Sequence, residues 1–316
     1  MATAHHRDRD RADPLAEAFY GALLGRLHEA AVPVLVGGSY AFSQLTGIGR
    51  PTKDLDLFIR HNDWPALAGL AQAAGWRAEL AYPHWLGKVH HAAHFVDAIF
   101  GSGNGVSPVD DEWFAHAPAA ELFGQPVRLV PAEESLWTKA FIMERERFDG
   151  ADVAHLLKAC AATLDWPRLQ RRFGAHWRVL LAHLVLFGFI YPGERDAIPG
   201  WLLDELLARL RDEATPPTAA PKLCAGTLLS REQYLGDLRH DGYIDARLRH
   251  DNTMSAADVA HWTQAIDGAA CVLTKPRRAR ATTVGPKAEH GAVGVGMPQA
   301  EDLAPASAAA PAAPMR

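Results

Sequence analysis

The amino-acid sequence predicts an α+β protein, in which a region of mixed helices and strands precedes a helical region. Apolar residues recur at helical spacing over residues 14–28, and short β-type runs follow at 32–36 and 54–59. From residue 151 to about 270, leucines recur at three- and four-residue offsets, which is typical of helices. A chain of 316 residues is long enough for two domains, each with its own core.

The composition is that of an ordinary globular protein and argues against several classes of function. Hydrophobic residues make up 48% of the chain and charged residues 22%. A net charge of -5 argues against a protein that coats nucleic acid through bulk electrostatics. Cys160, Cys224 and Cys271 form no closely spaced pair, so neither a disulfide framework nor a cysteine zinc site is expected.

Neither a membrane association nor secretion is expected. The longest apolar stretch, residues 179–191, is interrupted by His183 and is shorter than the roughly 20 residues that cross a bilayer, so we interpret it as a buried helix. The first 14 residues are polar and lack the apolar core of a secretory signal. We therefore expect a cytoplasmic protein. The sequence gives no indication of its oligomeric state.

The first region has a definite order of elements. The helix at 14–28 precedes a buried strand at 32–36, which ends at Gly37 and Gly38. A second helix begins at Ser39 and is broken by glycine and proline before the next strand. Further along, the patterns predict a helix at 64–74, strands at 87–91 and 94–100, a hairpin at 121–130, and a helix that begins after Pro131.

The most informative feature is a pair of aspartates, Asp54 and Asp56, on the strand after the glycine turn. Side chains alternate along a strand, so the two carboxylates project from the same face. Carboxylates this close repel each other, and both stay ionised only where a cation is near. Oxygen ligands favour Mg²⁺, which completes its coordination with water and substrate phosphates. The pair therefore predicts a site for metal ions and a nucleoside triphosphate.

Two further features extend this site. Asp97 interrupts the hydrophobic strand at 94–100, and an unpartnered buried carboxylate is costly, so a cation or strong donors should lie nearby. Asp97 is the third candidate metal ligand. The amides of Gly38 and Ser39 stand at the start of a helix, where glycine permits close approach and the helix end is electropositive. Gly37, Gly38 and Ser39 are therefore candidate phosphate-binding residues.

Together these residues form an ordered pattern: Gly37-Gly38-Ser39, Arg50-Pro-Thr-Lys-Asp54-Leu-Asp56, Asp97 on a later strand, and Pro131-Ala-Glu-Glu followed by Lys139. The pattern resembles the polymerase-beta-like nucleotidyltransferase superfamily. Within it, the chain looks most like the bacterial small-molecule adenylyltransferases and the abortive-infection toxin-type enzymes. The resemblance covers roughly residues 30–160.

The resemblance implies a fold, a reaction and roles for residues. The fold is a mixed β-sheet flanked by helices. The reaction is transfer of a nucleoside monophosphate, with AMP favoured, from a nucleoside triphosphate such as ATP to an acceptor hydroxyl, releasing pyrophosphate. The acceptor is a small molecule, a protein or RNA. Asp54, Asp56 and Asp97 hold two Mg²⁺ ions, Asp97 is a candidate base for the acceptor proton, and Lys139, with Arg50 and Lys53 as weaker candidates, reaches the phosphates.

The resulting domain prediction has four parts. Residues 1–13 are a disordered N-terminus, 14–130 the nucleotidyltransferase domain, 131–270 a helical domain and 271–316 a tail. The tail contains a short basic run followed by alanine, proline and glycine without periodicity, a composition that does not bury enough apolar surface to fold.

Alternatives for the function come from other classes of protein. The same fold can serve as a catalytically silent nucleotide-binding module, although the intact aspartates and Ser39 count against this. A metal-dependent phosphohydrolase is less favoured, because such enzymes add several histidine ligands and only His94 is close to an aspartate in sequence. The histidines at 84, 90, 91 and 94 are interpreted as ordinary strand residues rather than zinc ligands.

Two charged stretches have competing interpretations. Arginines and aromatic residues are mixed over residues 166–178, which fits a surface that binds RNA or an anionic acceptor, but an amphipathic helix with a solvated basic face is favoured. Asp149 lies in an Arg-Phe-Asp-Gly-Ala-Asp stretch that resembles a second-domain motif of the same superfamily. We favour a role for Asp149 as the cap of the helix that begins near residue 151.

Overall fold

A computed structural model describes residues 13–50, 52–213 and 222–267. The predicted disordered tail, and the predicted disordered N-terminus apart from Asp13, lie outside these residues. Within them, helices and strands alternate up to residue 128, and the following part is largely helical. The predicted α+β class is therefore confirmed.

The N-terminal region is built on a five-stranded mixed sheet. Its strands are β1 (Leu35–Val36), β2 (Leu55–Phe58), β3 (Arg77–Tyr82), β4 (Leu86–His91) and β5 (His94–Ile99). The strand order is β1-β2-β5-β4-β3, with β2 and β5 parallel and the other neighbours antiparallel. The parallel pair places two strands that are distant in sequence side by side at the centre of the sheet.

Helices and a hairpin surround this sheet. They are α1 (Pro14–Glu29), α2 (Gly38–Thr46), α3 (Trp64–Ala73), α4 (Asp111–His116) and the hairpin of β6 (Ala119–Leu122) and β7 (Gln125–Arg128). The start of α1 shows why the sequence sets its boundary. Pro14 occupies the first turn, where no amide is needed, and the Asp13 carboxylate accepts a hydrogen bond from the Leu15 amide at 2.9 Å.

The later part of the described chain contains most of the helices. They are α5 (Ala132–Ala140), α6 (Gly150–Cys160), α7 (Trp166–Phe173), α8 (Trp177–Ile190), α9 (Gly200–Asp212), α10 (Leu235–His240) and α11 (Ala256–Asp267), with two short paired strands, β8 (Leu223–Cys224) and β9 (Ile244–Asp245). The larger hydrophobic core joins α5 to α9, and it also takes in Leu35, Phe42 and Trp113 from the first region. A domain boundary at residue 130 stays a prediction.

The stretch Trp166–Ile190 has the length and mean hydropathy of a membrane span. In the structure it consists of two helices, α7 and α8, separated by Gly174, which has a positive φ of 47°. Leu169, Trp177 and Phe187 from these helices are almost fully buried in the larger core. The interpretation of residues 179–191 as a buried helix holds for one face only, because Leu180, Leu184 and Phe187 are buried whereas Val185 and Phe189 are exposed.

The basic face expected around α7 is not solvated, so that interpretation was wrong for two of its arginines. Arg168 is 2% exposed and pairs with Glu134 at 2.5 Å. Arg172 pairs with Glu134 at 3.0 Å and with Asp110 at 2.6 Å. The acidic residues that open α5 lie against α7, and buried charges are stable only when paired in this way.

Candidate active site

The parallel strands β2 and β5 bring the predicted metal ligands together. Asp56 and Asp97 are direct neighbours in the register of these two strands, and Asp54 immediately precedes β2. One carboxylate oxygen from each of the three aspartates lies within 4.8 Å of the others. Three hard oxygen donors at this spacing fit a divalent cation such as Mg²⁺. Sequence alternation alone did not reveal that Asp97 lies beside Asp56.

The three carboxylates strongly perturb one another. Partial burial, followed by the charges of Asp54 and Asp97, raises the pKa of Asp56 to about 7. Burial also raises the pKa of Asp97, although the neighbouring Lys88 acts in the opposite direction. Like charges gathered in a poorly solvated place favour the protonated form until a cation neutralises them. The raised pKa values of Asp56 and Asp97 therefore support a cation site, as the distances between the carboxylates do.

Lys88 is a member of this group that the sequence analysis missed. Its Nζ donates to the Asp97 Oδ1 at 2.5 Å, and the two residues are opposite each other in the antiparallel pair of β4 and β5. A signal for it existed in the sequence. Residues 91 and 94 pair across the turn that joins the two predicted strands. Counting outward from this pair places residue 88 opposite residue 97.

The glycine turn lies directly against the aspartates. Gly38 has a φ of +54°, and a Cβ placed on it would lie 1.7 Å from the Asp56 Oδ2. A Cβ on Gly37 would lie 2.2 Å from the Phe58 ring, and the Gly37 amide donates to the Asp56 carbonyl at 2.9 Å. Only glycine fits both positions without displacing β2. The start of α2, including Ser39, therefore sits next to the carboxylates, and Gly38 and Ser39 line the same cleft.

On another wall of this cleft, cations and carboxylates form a mixed cluster. Lys139, on α5, donates to Asp152 at 2.7 Å and to Asp149 at 3.2 Å. Arg50 also pairs with Asp152, and its guanidinium lies 4.3 Å from the centre of the Phe42 ring. Arg50 and Lys139, two of the three predicted cations, thus line the cleft, and each is held by an acidic residue of α6 or of its N-terminus.

The structure changes the interpretation of Asp149. This residue precedes α6, but its side chain accepts no hydrogen bond from the amides of the helix. Its carboxylate instead binds Arg147 through two hydrogen bonds, at 2.9 and 3.0 Å, and Lys139. The favoured capping role was therefore wrong. Hydrogen bonding to Arg147 and the charge of Lys139 outweigh burial and hold the pKa of Asp149 below its usual value.

Of the predicted phosphate ligands, Gly37 is not among the residues that line the cleft and donates its amide to the Asp56 carbonyl, and Lys53 lies away from the cluster. Its side chain is exposed, and it is not among the described residues that line the cleft. The backbone carbonyl of Lys53 accepts a hydrogen bond from the Tyr20 hydroxyl at 3.2 Å. Its role as a phosphate ligand therefore has no geometric support.

The cleft has a volume of about 720 Å³ and continues past the aspartates to residues that the sequence analysis did not assign. Trp85 and the loop 101–104 form one part of this continuation. The remainder comes from the later part of the chain, including residues 227–231 and Trp262 of α11. These residues are far apart in sequence and carry no motif, so only the folded chain reveals that they share a wall.

The strand histidines are dispersed among other partners. His90 contacts Glu79 at 3.1 Å, His94 contacts Asp13 at 3.4 Å, and a ring nitrogen of His84 lies 3.1 Å from the Gly103 carbonyl. Among the described residues, Asp54, Asp56 and Asp97 are the side chains with a spacing that could hold a metal ion, and no histidine belongs to that group.

Comparison with family models and with curated proteins found no match. Solved structures do match the chain. The antibiotic-resistance factor ANT(2'')-Ia matches at 18% identity and a TM-score of 0.39, over 54% of this chain and 98% of its own. The lincosamide antibiotic adenylyltransferase LnuA, solved with lincomycin, matches at 15% identity and a TM-score of 0.33, over 44% of this chain and 94% of its own.

A nucleotidyltransferase-like protein from Paracoccidioides brasiliensis matches at 15% identity and a TM-score of 0.38, over 58% of this chain and 93% of its own. Because these TM-scores are all below 0.5, the carboxylates and their neighbours, rather than the matches, carry the functional interpretation.

Proposed function

We propose that this protein is a Mg²⁺-dependent nucleotidyltransferase. It moves a nucleoside monophosphate, with AMP favoured, from a nucleoside triphosphate to an acceptor hydroxyl and releases pyrophosphate. The observation that carries this proposal is the convergence of Asp54, Asp56 and Asp97 beside the glycine turn that begins α2. The sequence pattern supports it, because the same residues occur in the order typical of the superfamily that it resembles.

Asp54, Asp56 and Asp97 are the residues that would hold the metal ions. Two such ions in a site of this kind neutralise phosphate charge and help to orient the attacking and leaving oxygens. The fit rests on the donor set. It consists of three carboxylates within 4.8 Å, and the raised pKa of Asp56 marks a place where additional positive charge is favourable.

The chain itself supplies the groups that bind the triphosphate. The first amides of a helix have no partner within the helix, so those of Gly38 and Ser39 are free to donate to phosphate oxygens. Lys139 and Arg50 line the same cleft and add positive charge next to this turn. In the absence of nucleotide, Asp149 and Asp152 hold these two cations in place.

Asp97 is the proposed base for the acceptor hydroxyl. Asp97 lines the cleft, and the bond from Lys88 is made to its Oδ1. A carboxylate whose pKa is raised by burial accepts a proton more readily than an ordinary surface aspartate. Transfer of the acceptor proton to Asp97 would generate the nucleophilic oxygen next to the α-phosphate.

A silent nucleotide-binding module and a phosphohydrolase are the remaining candidates. The described residues include no histidine in the metal-binding group, and a hydrolase with a di-metal centre usually has several. A silent module would not need three carboxylates at a spacing that disfavours their ionised forms. Transfer is therefore the better-supported function.

The proposal is tested with triphosphates labelled at the α-phosphate. Each is incubated with the protein, Mg²⁺, and an extract separated into RNA, protein and metabolite fractions. We expect label in one fraction, and we expect Asp54→Asn and Asp56→Asn to reduce its transfer at least about a hundredfold without unfolding. The exposed Asp204 on α9 provides a matched control, Asp204→Asn, that should transfer normally. Label in no fraction would favour the silent module.

A further inference from the structure

The far wall of the cleft contains an arginine whose guanidinium forms no ion pair with a described residue. Arg231 lines the cleft, and within the described part of the chain no carboxylate lies within ion-pair distance of its guanidinium. The other cleft cations, Arg50, Lys139 and Arg147, all bind Asp149 or Asp152. Arg231 is thus a positive charge that faces the cleft with its donors available.

The guanidinium of Arg231 is nevertheless held in place. It lies 4.7 Å from the centre of the Trp262 ring, and the Arg231 amide donates to the Glu144 Oε1 at 2.8 Å. The Trp262 ring in turn packs edge-on against Trp85, with 5.3 Å between ring centroids. A guanidinium stacked on an indole loses less freedom when it binds an anion, because its orientation is already set.

The wall itself is attached firmly to the loop that follows β5. The Asn104 side-chain amide donates to the Leu228 carbonyl at 2.5 Å, and the Asn252 side-chain amide donates to the Asn104 carbonyl at 3.0 Å. These bonds join segments more than a hundred residues apart in sequence. They fix Arg231 and Trp262 relative to the strand that carries Asp97.

A second donor on this wall lacks a partner. Trp85 lines the cleft, and its indole N–H is buried without an acceptor among the described residues. The carboxylates of the cleft, by contrast, are already engaged. The aspartate triad faces the metal site, Asp149 and Asp152 bind cations, and Glu144 accepts bonds from Ser230 and from the Arg231 amide. The Arg231 guanidinium is therefore the donor that this wall offers to a ligand, and it suits a ligand that brings acceptors.

We infer that the acceptor molecule carries an anionic group, a phosphate or carboxylate, next to a flat ring, and that Arg231 on Trp262 binds that group. This inference rests on the proposed function, since it identifies the class of molecule whose hydroxyl is placed beside Asp97. Bound anions pair strongly with arginine through two parallel hydrogen bonds, and flat rings stack on guanidinium and indole planes. A polycationic aminosugar would meet an uncompensated positive charge here.

The test measures binding by isothermal titration with the nucleotide site filled by Mg²⁺ and α,β-methylene-ATP, which is not turned over. The probes are AMP, which pairs a ring with an anion, adenosine, which has the same ring without charge, and tobramycin, a polycation. We expect AMP to bind at least about tenfold more tightly than adenosine, as a hydrogen bond to a charged group implies. We expect tobramycin to bind more weakly than either.

The variant Arg231→Gln should abolish the preference for AMP and leave adenosine binding unchanged, while Arg231→Lys should restore part of it. Arg249 lies in the same segment, pairs with Asp251 and does not line the cleft, so Arg249→Gln is the matched control. Equal binding of AMP and adenosine by the wild type would overturn the inference. Equal loss of both ligands in Arg231→Gln would do the same, because it would indicate a structural role.

Two further measurements identify the source of the anionic group and distinguish failure of this inference from failure of the proposed function. A short RNA that binds more tightly than AMP assigns the anionic group to an RNA 3′ end, and one that binds more weakly assigns it to a free small molecule. Both support the inference. If α,β-methylene-ATP itself does not bind, the proposed function fails, whereas loss of the AMP preference with the analogue bound affects the acceptor class alone.

Discussion

Gly38 and Asp56 are so close that no side chain fits between them. A Cβ on residue 38 would lie 1.7 Å from the Asp56 Oδ2, and residue 38 has a φ of +54°. The backbone conformation and the contact each require glycine. The turn therefore sets the position of the central carboxylate as well as that of the helix that follows.

Replacing Gly38 by alanine should damage both the fold and the site. The positive φ alone costs roughly 1–2 kcal/mol for a residue with a Cβ, and relief of the contact requires Asp56 to move. Gly124→Ala is the control, because Gly124 also has a positive φ, of 69°, but has open space around it. We expect Gly38→Ala to lower the melting temperature more than Gly124→Ala and to abolish Mg²⁺-dependent stabilisation. Equal effects of the two substitutions would contradict this.

The raised pKa of Asp56 predicts how the stability of the metal-free protein depends on pH. Its pKa is about 7 in the folded state and 3.8 in an unfolded chain. The folded state binds the proton more tightly, so this contribution is fully present below about pH 4 and is lost as the pH rises through 7. Asp56→Asn removes it. In EDTA, the melting temperature of the wild type, relative to that of Asp56→Asn, should therefore fall by at least about 3 °C between pH 5 and pH 8.

The same protonation opposes metal binding, which gives a further prediction. Mg²⁺ requires the ionised carboxylates, so it should raise the melting temperature of the wild type more at pH 8 than at pH 5. Asp56→Asn should show little stabilisation at either pH, and Asp204→Asn should behave as the wild type. An effect of Mg²⁺ that does not change with pH would show that the ion binds elsewhere.

Much of this region follows from local patterns in the sequence. Proline at the first helical position and an aspartate before it set the start of α1, and the alternation around Asp56 predicts its strand. The strand β3 was not predicted, because none of its residues is buried and its pattern is therefore weak. α4 was also missed, since it is only six residues long.

The site was predictable where neighbours in sequence are neighbours in space. Asp54 and Asp56 are two residues apart, and Gly38 follows a recognisable strand. Arg231 and Trp262 reach the cleft only because tertiary hydrogen bonds attach their segment to Asn104, and no local pattern encodes such contacts. Asp149 is a similar case. Its position before α6 suggested a helix cap, but its carboxylate instead binds Arg147 and Lys139.

We expect Lys88 to neutralise the charge of Asp97 before a metal ion binds. Its Nζ lies 2.5 Å from Asp97, and both side chains are largely shielded from solvent. Lys88→Met leaves the three aspartates without this cation, so the variant in EDTA should lose on the order of 1–3 kcal/mol of stability. Saturating Mg²⁺ should recover a larger part of this loss than it adds to the wild type, and Lys88→Arg should remain close to the wild type. Equal stabilisation of Lys88→Met and wild type by Mg²⁺ would exclude this role.

Substitution of Lys139 should show whether this residue acts as a phosphate ligand or as a structural cation. The Lys139 Nζ lies 2.7 Å from Asp152. Asp152 also pairs with Arg50, so removal of the Lys139 charge leaves Asp152 partly neutralised. On the proposed function, Lys139→Met weakens binding of α,β-methylene-ATP about tenfold or more, the usual cost of a lost hydrogen bond to a charged group, with a smaller loss for Lys139→Arg. The exposed Lys158, which pairs with Glu194, supplies the control Lys158→Met. Tight binding by Lys139→Met together with a lowered melting temperature would assign Lys139 to the ion-pair cluster alone.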